Sequence, residues 1–115
     1  MGTAMQGTSR SDLAVELERC ARLCEDTAER YVDEHGERVG ADVVSALMLA
    51  AAAMDTAAGA DDHGGPVRDT ALLITATLAV DAIDAAERHG LDEGLLLCVA
   101  SLRRVSARCE AAIRC

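Results

Sequence analysis

The sequence predicts an all-α domain, folded as an antiparallel up-down-up-down four-helix bundle. Three observations carry this prediction. The chain has 115 residues and is 50% apolar, which suits one domain with one modest core. It holds one proline, and its β-branched residues do not cluster in alternating runs. Four segments of roughly 20 to 25 residues have helical character, and the short breaks between them favour antiparallel neighbours.

The first two helices are read from their boundary residues. The first runs from about Ser11 to His35, with Ser11 as a candidate N-cap and Gly36 as the stop. The second runs from about Ala41 to Ala60 and is apolar nearly all round. The break that follows it contains two aspartates and two glycines, which is typical of a loop.

The third helix is expected to begin near Pro66 and to end at Gly90, and Asp92 is expected to cap a fourth helix that continues to the C-terminus. The third helix is apolar on two faces, so it is either central or buries one face against another subunit. We therefore predict a homo-oligomer. One face consists of Val67, Ala71, Ile74, Leu78, Ala82 and Ala85, and the other of Leu73, Thr77, Val80 and Asp84.

Charge and hydropathy restrict the partners of the protein. The net charge is −9, with 20 acidic and 11 basic residues, and no basic stripe that would favour nucleic acid or an anionic membrane. Residues 1–10 read as a flexible leader without a signal-peptide core, followed by a single domain over residues 11–115. The run "VVSALMLAAAAM" is about twelve residues, short of the roughly 20 that span a membrane. We expect a cytoplasmic protein, whose five cysteines are thiols or metal ligands rather than disulfides.

Four of the cysteines fall on the predicted core faces. At about 100° per residue, Cys20 and Cys24 lie on the apolar stripe of the first helix, and Cys98 and Cys109 lie on that of the fourth. Cys115 lies about 120° from that stripe and is expected to be exposed or frayed. The sequence leaves open which thiols of the two helices meet.

The cysteine spacing resembles that of a family of cysteine-rich four-helix bundles that includes the bacterial copper storage proteins. Their helices repeat C-x3-C-x2-C-x3-C, and the thiols point into the bundle and bind Cu(I). The first helix here matches that template with Cys20, Cys24, Thr27 and Tyr31, and the fourth with Cys98, Leu102, Val105 and Cys109. The second and third helices carry no cysteine. The resemblance is to a divergent, cysteine-poor relative and implies a Cu(I) site inside the bundle.

The first functional hypothesis is a cytosolic protein that holds or passes Cu(I). Two thiolates one helical turn apart can bridge one Cu(I), which accepts linear or trigonal coordination by soft ligands. Buried cysteine is also an ordinary small core residue, so core filling is the simpler alternative. The candidate ligands are Cys20, Cys24, Cys98, Cys109, Met48 and Met54.

The second hypothesis is a metal-free bundle of the same ancestry that binds a small molecule, and that could be a biosynthetic enzyme. Asp55, Asp81 and Asp84 lie at or near apolar stripes, and a buried carboxylate must be paired, hydrogen-bonded or neutral. If they converge with Tyr31, they form a polar interior pocket with candidate catalytic groups. These acids could equally lie at the solvent boundary. A third hypothesis is a plain oligomerisation or partner-binding module.

Overall fold

The computed structural model describes residues 11–35 and 41–114, which form four helices and contain no strand. The predicted leader (residues 1–10), the predicted stop of the first helix at Gly36, and Cys115 lie outside the described residues. The helix bounds agree closely with those expected from the sequence, which confirms the all-α class. The helices are α1 (Asp12–His35), α2 (Ala41–Ala60), α3 (Gly65–His89) and α4 (Glu93–Arg114).

Local capping explains where the helices begin and end. The Ser11 hydroxyl accepts a hydrogen bond of 2.9 Å from the backbone N–H of Ala14. The Asp92 carboxylate accepts one of 2.9 Å from the backbone N–H of Leu95. Gly90 follows α3 with φ of 107°, a conformation that residues with a Cβ rarely adopt. The predicted N-caps and the predicted stop of α3 are therefore confirmed.

The four helices pack in a closed ring, since each contacts its neighbours in the chain and α1 also contacts α4. The α1–α4 seam is the least closely packed of the four. Each seam, the interface between two neighbouring helices, contains a polar contact. Three of these contacts are ion pairs near the surface, and the fourth is a hydrogen bond from a buried hydroxyl. These contacts are Arg22 with Asp55 (α1–α2), Thr75 with the carbonyl of Ala53 (α2–α3), Arg103 with Glu87 (α3–α4) and Arg108 with Glu16 (α4–α1).

The core consists of small and aliphatic side chains, and the buried face of α3 is rich in alanine. The predicted face of Leu73, Thr77, Val80 and Asp84 is exposed throughout. The other predicted face is buried only in part, because Val67 and Ile74 are 65% and 50% exposed. An alanine-rich face that includes Leu72 and Thr75 is buried instead. Alanine lets helices approach closely, so the face that packs best is the one with the smallest side chains.

The outer face of α3 exposes large apolar side chains, Leu73, Ile74 and Val80 among them. Exposed apolar residues grouped on one helix face are typical of an interaction surface. Homo-oligomer formation stays a prediction.

The helix α2 is, by length and composition, apolar enough to cross a membrane, although the sequence reading measured only a twelve-residue run. The expectation from the twelve-residue run was wrong, because half of the residues that flank the run within the helix are alanine and the whole helix is long and apolar enough. The core helices of soluble proteins share this length and composition. One face of α2, with Leu47 and Met54, is buried within the ring of helices.

We expect Asp92→Ala to lower the free energy of unfolding by about 1 kcal/mol, because it removes the side-chain acceptor that caps α4. Asp92→Asn keeps an acceptor at this position and should stay close to the wild type. Urea unfolding followed by circular dichroism measures both variants. Equal unfolding midpoints for the wild type and both variants would show that the cap contributes nothing.

Candidate thiol site between the first and fourth helices

Three buried thiols meet at the α1–α4 seam. Cys20 and Cys24 lie one turn apart on the buried face of α1, and Cys98 lies on the buried face of α4. The Sγ atoms of Cys24 and Cys98 are 3.5 Å apart. The helical period placed both α1 thiols inward, and the packing of α4 brings Cys98 to the level of Cys24.

Cys24 is the central thiol of the three. Its pKa is raised by its hydrogen bonds with Cys20 and Cys98, and burial adds to the effect. The pKa of Cys20 and that of Cys98 are lowered, chiefly because Cys24 can donate a hydrogen bond to either thiolate, while burial opposes this. Cys24 is therefore the last of the three to ionise.

Two hydroxyls flank the thiols. Ser101 on α4 interacts with Cys20 and lowers its pKa. Thr27 on α1 lies close enough to Cys98 to lower the pKa of that thiol, yet its Oγ1 is buried and makes no well-formed hydrogen bond with any described residue. A buried hydroxyl that lacks a well-formed hydrogen bond costs free energy, and the Thr27 hydroxyl is placed to stabilise the thiolate form of Cys98.

Cys109 is buried but stands apart from the other thiols. Burial raises its pKa to about 11, and its interaction with Cys20 is through charge rather than a hydrogen bond. Its neighbour Arg108 pairs with Glu16, near the beginning of α1. Cys109 therefore lies at the level of Glu16, about one helical turn away from the level of Cys20. Sequence reasoning could not separate Cys98 from Cys109, and the structure assigns only Cys98 to the contact with Cys24.

The thiols in their present arrangement would offer a metal ion few ligands. Within residues 11–35 and 41–114 there is no group of three or more His, Cys, Asp or Glu side chains arranged to hold a metal ion. With metal–sulfur bonds of about 2.3 Å, the length known for zinc, a linear two-thiolate site needs sulfurs roughly 4.6 Å apart. The Cys24–Cys98 separation of 3.5 Å must therefore widen by about 1 Å for a linear site, and by less for a bent one.

The two predicted methionine ligands lie in different places. Met54 is fully buried on α2, and it lies near the level of Cys20 and Cys24 because the next residue, Asp55, pairs with Arg22 of α1. Met48 is instead 45% exposed, in a surface groove between α1 and α2. The expectation that both thioethers face the core holds for Met54 alone, since Met48 lies on the outer side of a helix that is apolar all round.

The predicted interior carboxylates are at the surface. Asp55, Asp81 and Asp84 are all exposed, and Asp55 pairs with Arg22. Because the alanine-rich face of α3 turns inward, Asp81 and Asp84 are left on its solvent side. The structure therefore does not give these acids the interior pocket that the second hypothesis required.

Tyr31, the fourth member of that predicted set, is buried beside a different group of polar residues. Its ring meets the ring of His89 edge-on, with centroids 5.2 Å apart. A cavity of about 230 Å³ next to it is lined by Thr27, Arg30 and Asp92, among others. Burial raises the pKa of Tyr31, which keeps the phenol protonated. Asp92 was read from the sequence only as a helix cap, because its place at this cavity depends on how α4 packs.

Comparison with known proteins finds no matching family model, no matching curated protein and no matching solved structure. The relationship to the copper storage family therefore stays a prediction based on the cysteine spacing.

We expect Thr27→Val to raise the free energy of unfolding by about 1 kcal/mol, because it removes a buried hydroxyl without a partner and keeps the shape of the side chain. Thr75→Val is the matched comparison. The Thr75 hydroxyl contacts the carbonyls of Ala71 and Ala53, so its loss should destabilise by about 1 kcal/mol. Chemical unfolding of the metal-free protein tests the pair, and destabilisation by both changes would mean that Cys98 satisfies the Thr27 hydroxyl.

Proposed function

We propose that the protein is a cytosolic Cu(I)-binding four-helix bundle that holds or passes the metal through core-facing thiols. The observation that carries this proposal is the 3.5 Å contact between the Sγ atoms of Cys24 and Cys98 across two helices, with Cys20 buried one turn before Cys24. Thiol groups from separate helices that meet inside an apolar core form a soft-ligand set, and soft ligands select Cu(I).

Cu(I) fits the ligand set better than Zn²⁺ does. A structural zinc site takes four ligands in tetrahedral geometry, usually from loop-borne pairs of cysteines. Three thiols meet here, all on helices, and the nearest buried thioether is that of Met54 at a similar level on α2. Linear or trigonal coordination by two or three sulfurs needs no fourth ligand, and only Cu(I) among the common biological metals accepts it readily.

The hydroxyl groups support a charged thiolate site. Two thiolates and one Cu(I) carry one net negative charge, which must be stabilised inside the core. The Thr27 hydroxyl, which makes no well-formed hydrogen bond to a described residue, can donate to the Cys98 sulfur. Ser101 can donate to the Cys20 sulfur. The Thr27 and Ser101 hydroxyls would thus stabilise the thiolates that bind the metal.

We further propose the finer arrangement that the sequence predicts, an antiparallel up-down-up-down bundle. In support, Glu16 near the beginning of α1 pairs with Arg108 near the end of α4, while Arg30 near the end of α1 packs on Gly94 at the beginning of α4. Opposite chain directions place Cys24 and Cys98 at the same level. With cysteines on only two of the described helices, the proposal is a small site in a divergent relative of the copper storage family, not a large store.

A second candidate function is a metal-free bundle that binds a small molecule, and the cavity beside Tyr31 favours it. The cavity combines a buried phenol with the Thr27 hydroxyl, the Arg30 guanidinium and the Asp92 carboxylate. Such a set can orient a small polar ligand and could support acid/base chemistry. Loss of ligand binding in Tyr31→Phe, with the thiols intact, would separate this function from metal binding.

We expect the reduced protein to take up at least one Cu(I) per chain in competition with a chromophoric chelator. The Cys20→Ser/Cys24→Ser variant should lose this uptake, because hydroxyls are poor Cu(I) ligands and the variant leaves only Cys98 at the site. Cys109→Ser is the matched control, since it removes a buried thiol outside the cluster and should retain Cu(I). Uptake that the double variant keeps, or that the control loses, would contradict the assignment.

We expect the apparent affinity for Cu(I) to rise with pH. Because the pKa of Cys24 is raised, this thiol is protonated at neutral pH, and the metal must displace its proton. Each displaced proton contributes about a tenfold gain in affinity per pH unit, and the gain ends once the pH exceeds the thiol pKa. Chelator competition at several pH values, corrected for protonation of the chelator, measures the slope. A flat profile would show that no proton is displaced.

A further inference from the structure

A polar groove lies on the α1–α4 seam directly outside the thiol site. It has a volume of about 480 Å³ and is lined by side chains of both helices. We call it the arginine groove, after Arg19 of α1 and Arg104 and Arg108 of α4.

The floor of the arginine groove touches the thiol site. Ser101, only 8% exposed, lines the groove and interacts with Cys20 behind it. Arg104 and Glu16, which also line the groove, act on Cys20 through their charges. Ser101 therefore lies between the groove and the first of the three buried thiols, on the least closely packed seam.

The groove is locally positive in an acidic protein. Its three arginines face two carboxylates, those of Asp12 and Glu16. Arg104 and Arg108 share the single carboxylate of Glu16, with Arg104 at 3.8 Å. Arg19 makes no ion pair with any residue that the structure describes. Guanidinium donors thus remain available, and these bind carboxylates in a planar, two-point fashion.

We propose that the arginine groove binds a small carboxylate-bearing thiol compound and presents its sulfur to Cys20. The carboxylates would pair with the groove arginines, and the sulfur would lie at Ser101. The compound could arrive with Cu(I) on its sulfur or as its own disulfide. The inference deepens the proposed function and rests on it where metal is carried, because it names the form in which Cu(I) reaches the site.

Both forms of the compound would react with Cys20 by exchange at sulfur. With metal, the donor sulfur–Cu(I) bond breaks as the Cys20 sulfur–Cu(I) bond forms, and the Cys20 proton passes to the released donor thiolate. Cu(I) could then pass to Cys24, one helical turn away, whose proton moves to the released Cys20 sulfur. Cys98, whose Sγ is 3.5 Å from that of Cys24, would join as the second ligand and lose its proton to solvent. With a disulfide, the Cys20 thiolate attacks one sulfur, the S–S bond breaks, and the other sulfur leaves with the electron pair.

The test compares two thiol reagents on the metal-free protein. Dithiobis(nitrobenzoate) is a disulfide with two carboxylates, and dithiodipyridine is a neutral one. Every variant carries Cys115→Ser, so that only the four buried thiols react. The groove variant is Arg104→Gln/Arg108→Gln, and the matched control is Arg22→Gln/Arg103→Gln, which removes the same charge from other seams.

We expect the ratio of the anionic-reagent rate to the neutral-reagent rate to fall about five- to tenfold in the groove variant. The control should stay within about twofold of the wild type. The ratio cancels any change in the fraction of Cys20 thiolate, because both reagents attack the same group. High salt should reduce the ratio for the wild type, since it screens the exposed guanidinium groups. Cys20→Ser should remove the reaction phase that shows the selectivity.

An equal fall in both double variants would overturn the inference, since it would reflect net charge alone. Rates independent of reagent concentration would also overturn it, because the thiols would then react only after the bundle opens. If the groove variant does not fold, Arg19→Gln should still lower the ratio about twofold. Cu(I) retention is measured separately. Selectivity without Cu(I) uptake refutes the proposed function alone, and uptake without selectivity refutes the groove alone.

Discussion

The structure depends on the close approach of helices whose core side chains are small. The chain has no Phe or Trp and a single Tyr, so alanine, leucine, valine and cysteine must fill the interior. Alanine-rich faces allow short distances between helix axes, and dispersion contacts then stabilise the ring of four helices. The thiol contact lies on the α1–α4 seam, the least closely packed of the four, where the Sγ atoms of Cys24 and Cys98 still come within 3.5 Å.

The thiol site is polar but buried among apolar side chains. Cys24 contacts Cys98, Cys20 lies one turn from Cys24, and Ser101 and Thr27 flank the thiols at either end. The Thr27 Oγ1 is buried without a well-formed hydrogen bond to a described residue, and this hydroxyl favours the thiolate form of Cys98.

The thiols, the arginine groove and the cavity beside Tyr31 all lie on the α1–α4 seam. The arginine groove opens on the Cys20 side of the thiols, and the cavity beside Tyr31 opens on the Thr27 side. The two proposed functions therefore use neighbouring parts of one seam, the least closely packed of the four. Looser packing lowers the cost of the small separation that a metal between Cys24 and Cys98 requires.

The sequence by itself determined the helices, their caps and the inward direction of the cysteines. These features follow from local chemistry and from the helical period, which act within a few residues of the chain. Only the tertiary structure decided that Cys98 rather than Cys109 meets Cys24, that Met48 is exposed, and that Asp81 and Asp84 face solvent. Each of these depends on the relative level and rotation of whole helices. An apolar helix such as α2 or α3 leaves that rotation undetermined in its sequence, because several of its faces can pack about equally well until neighbouring helices select one.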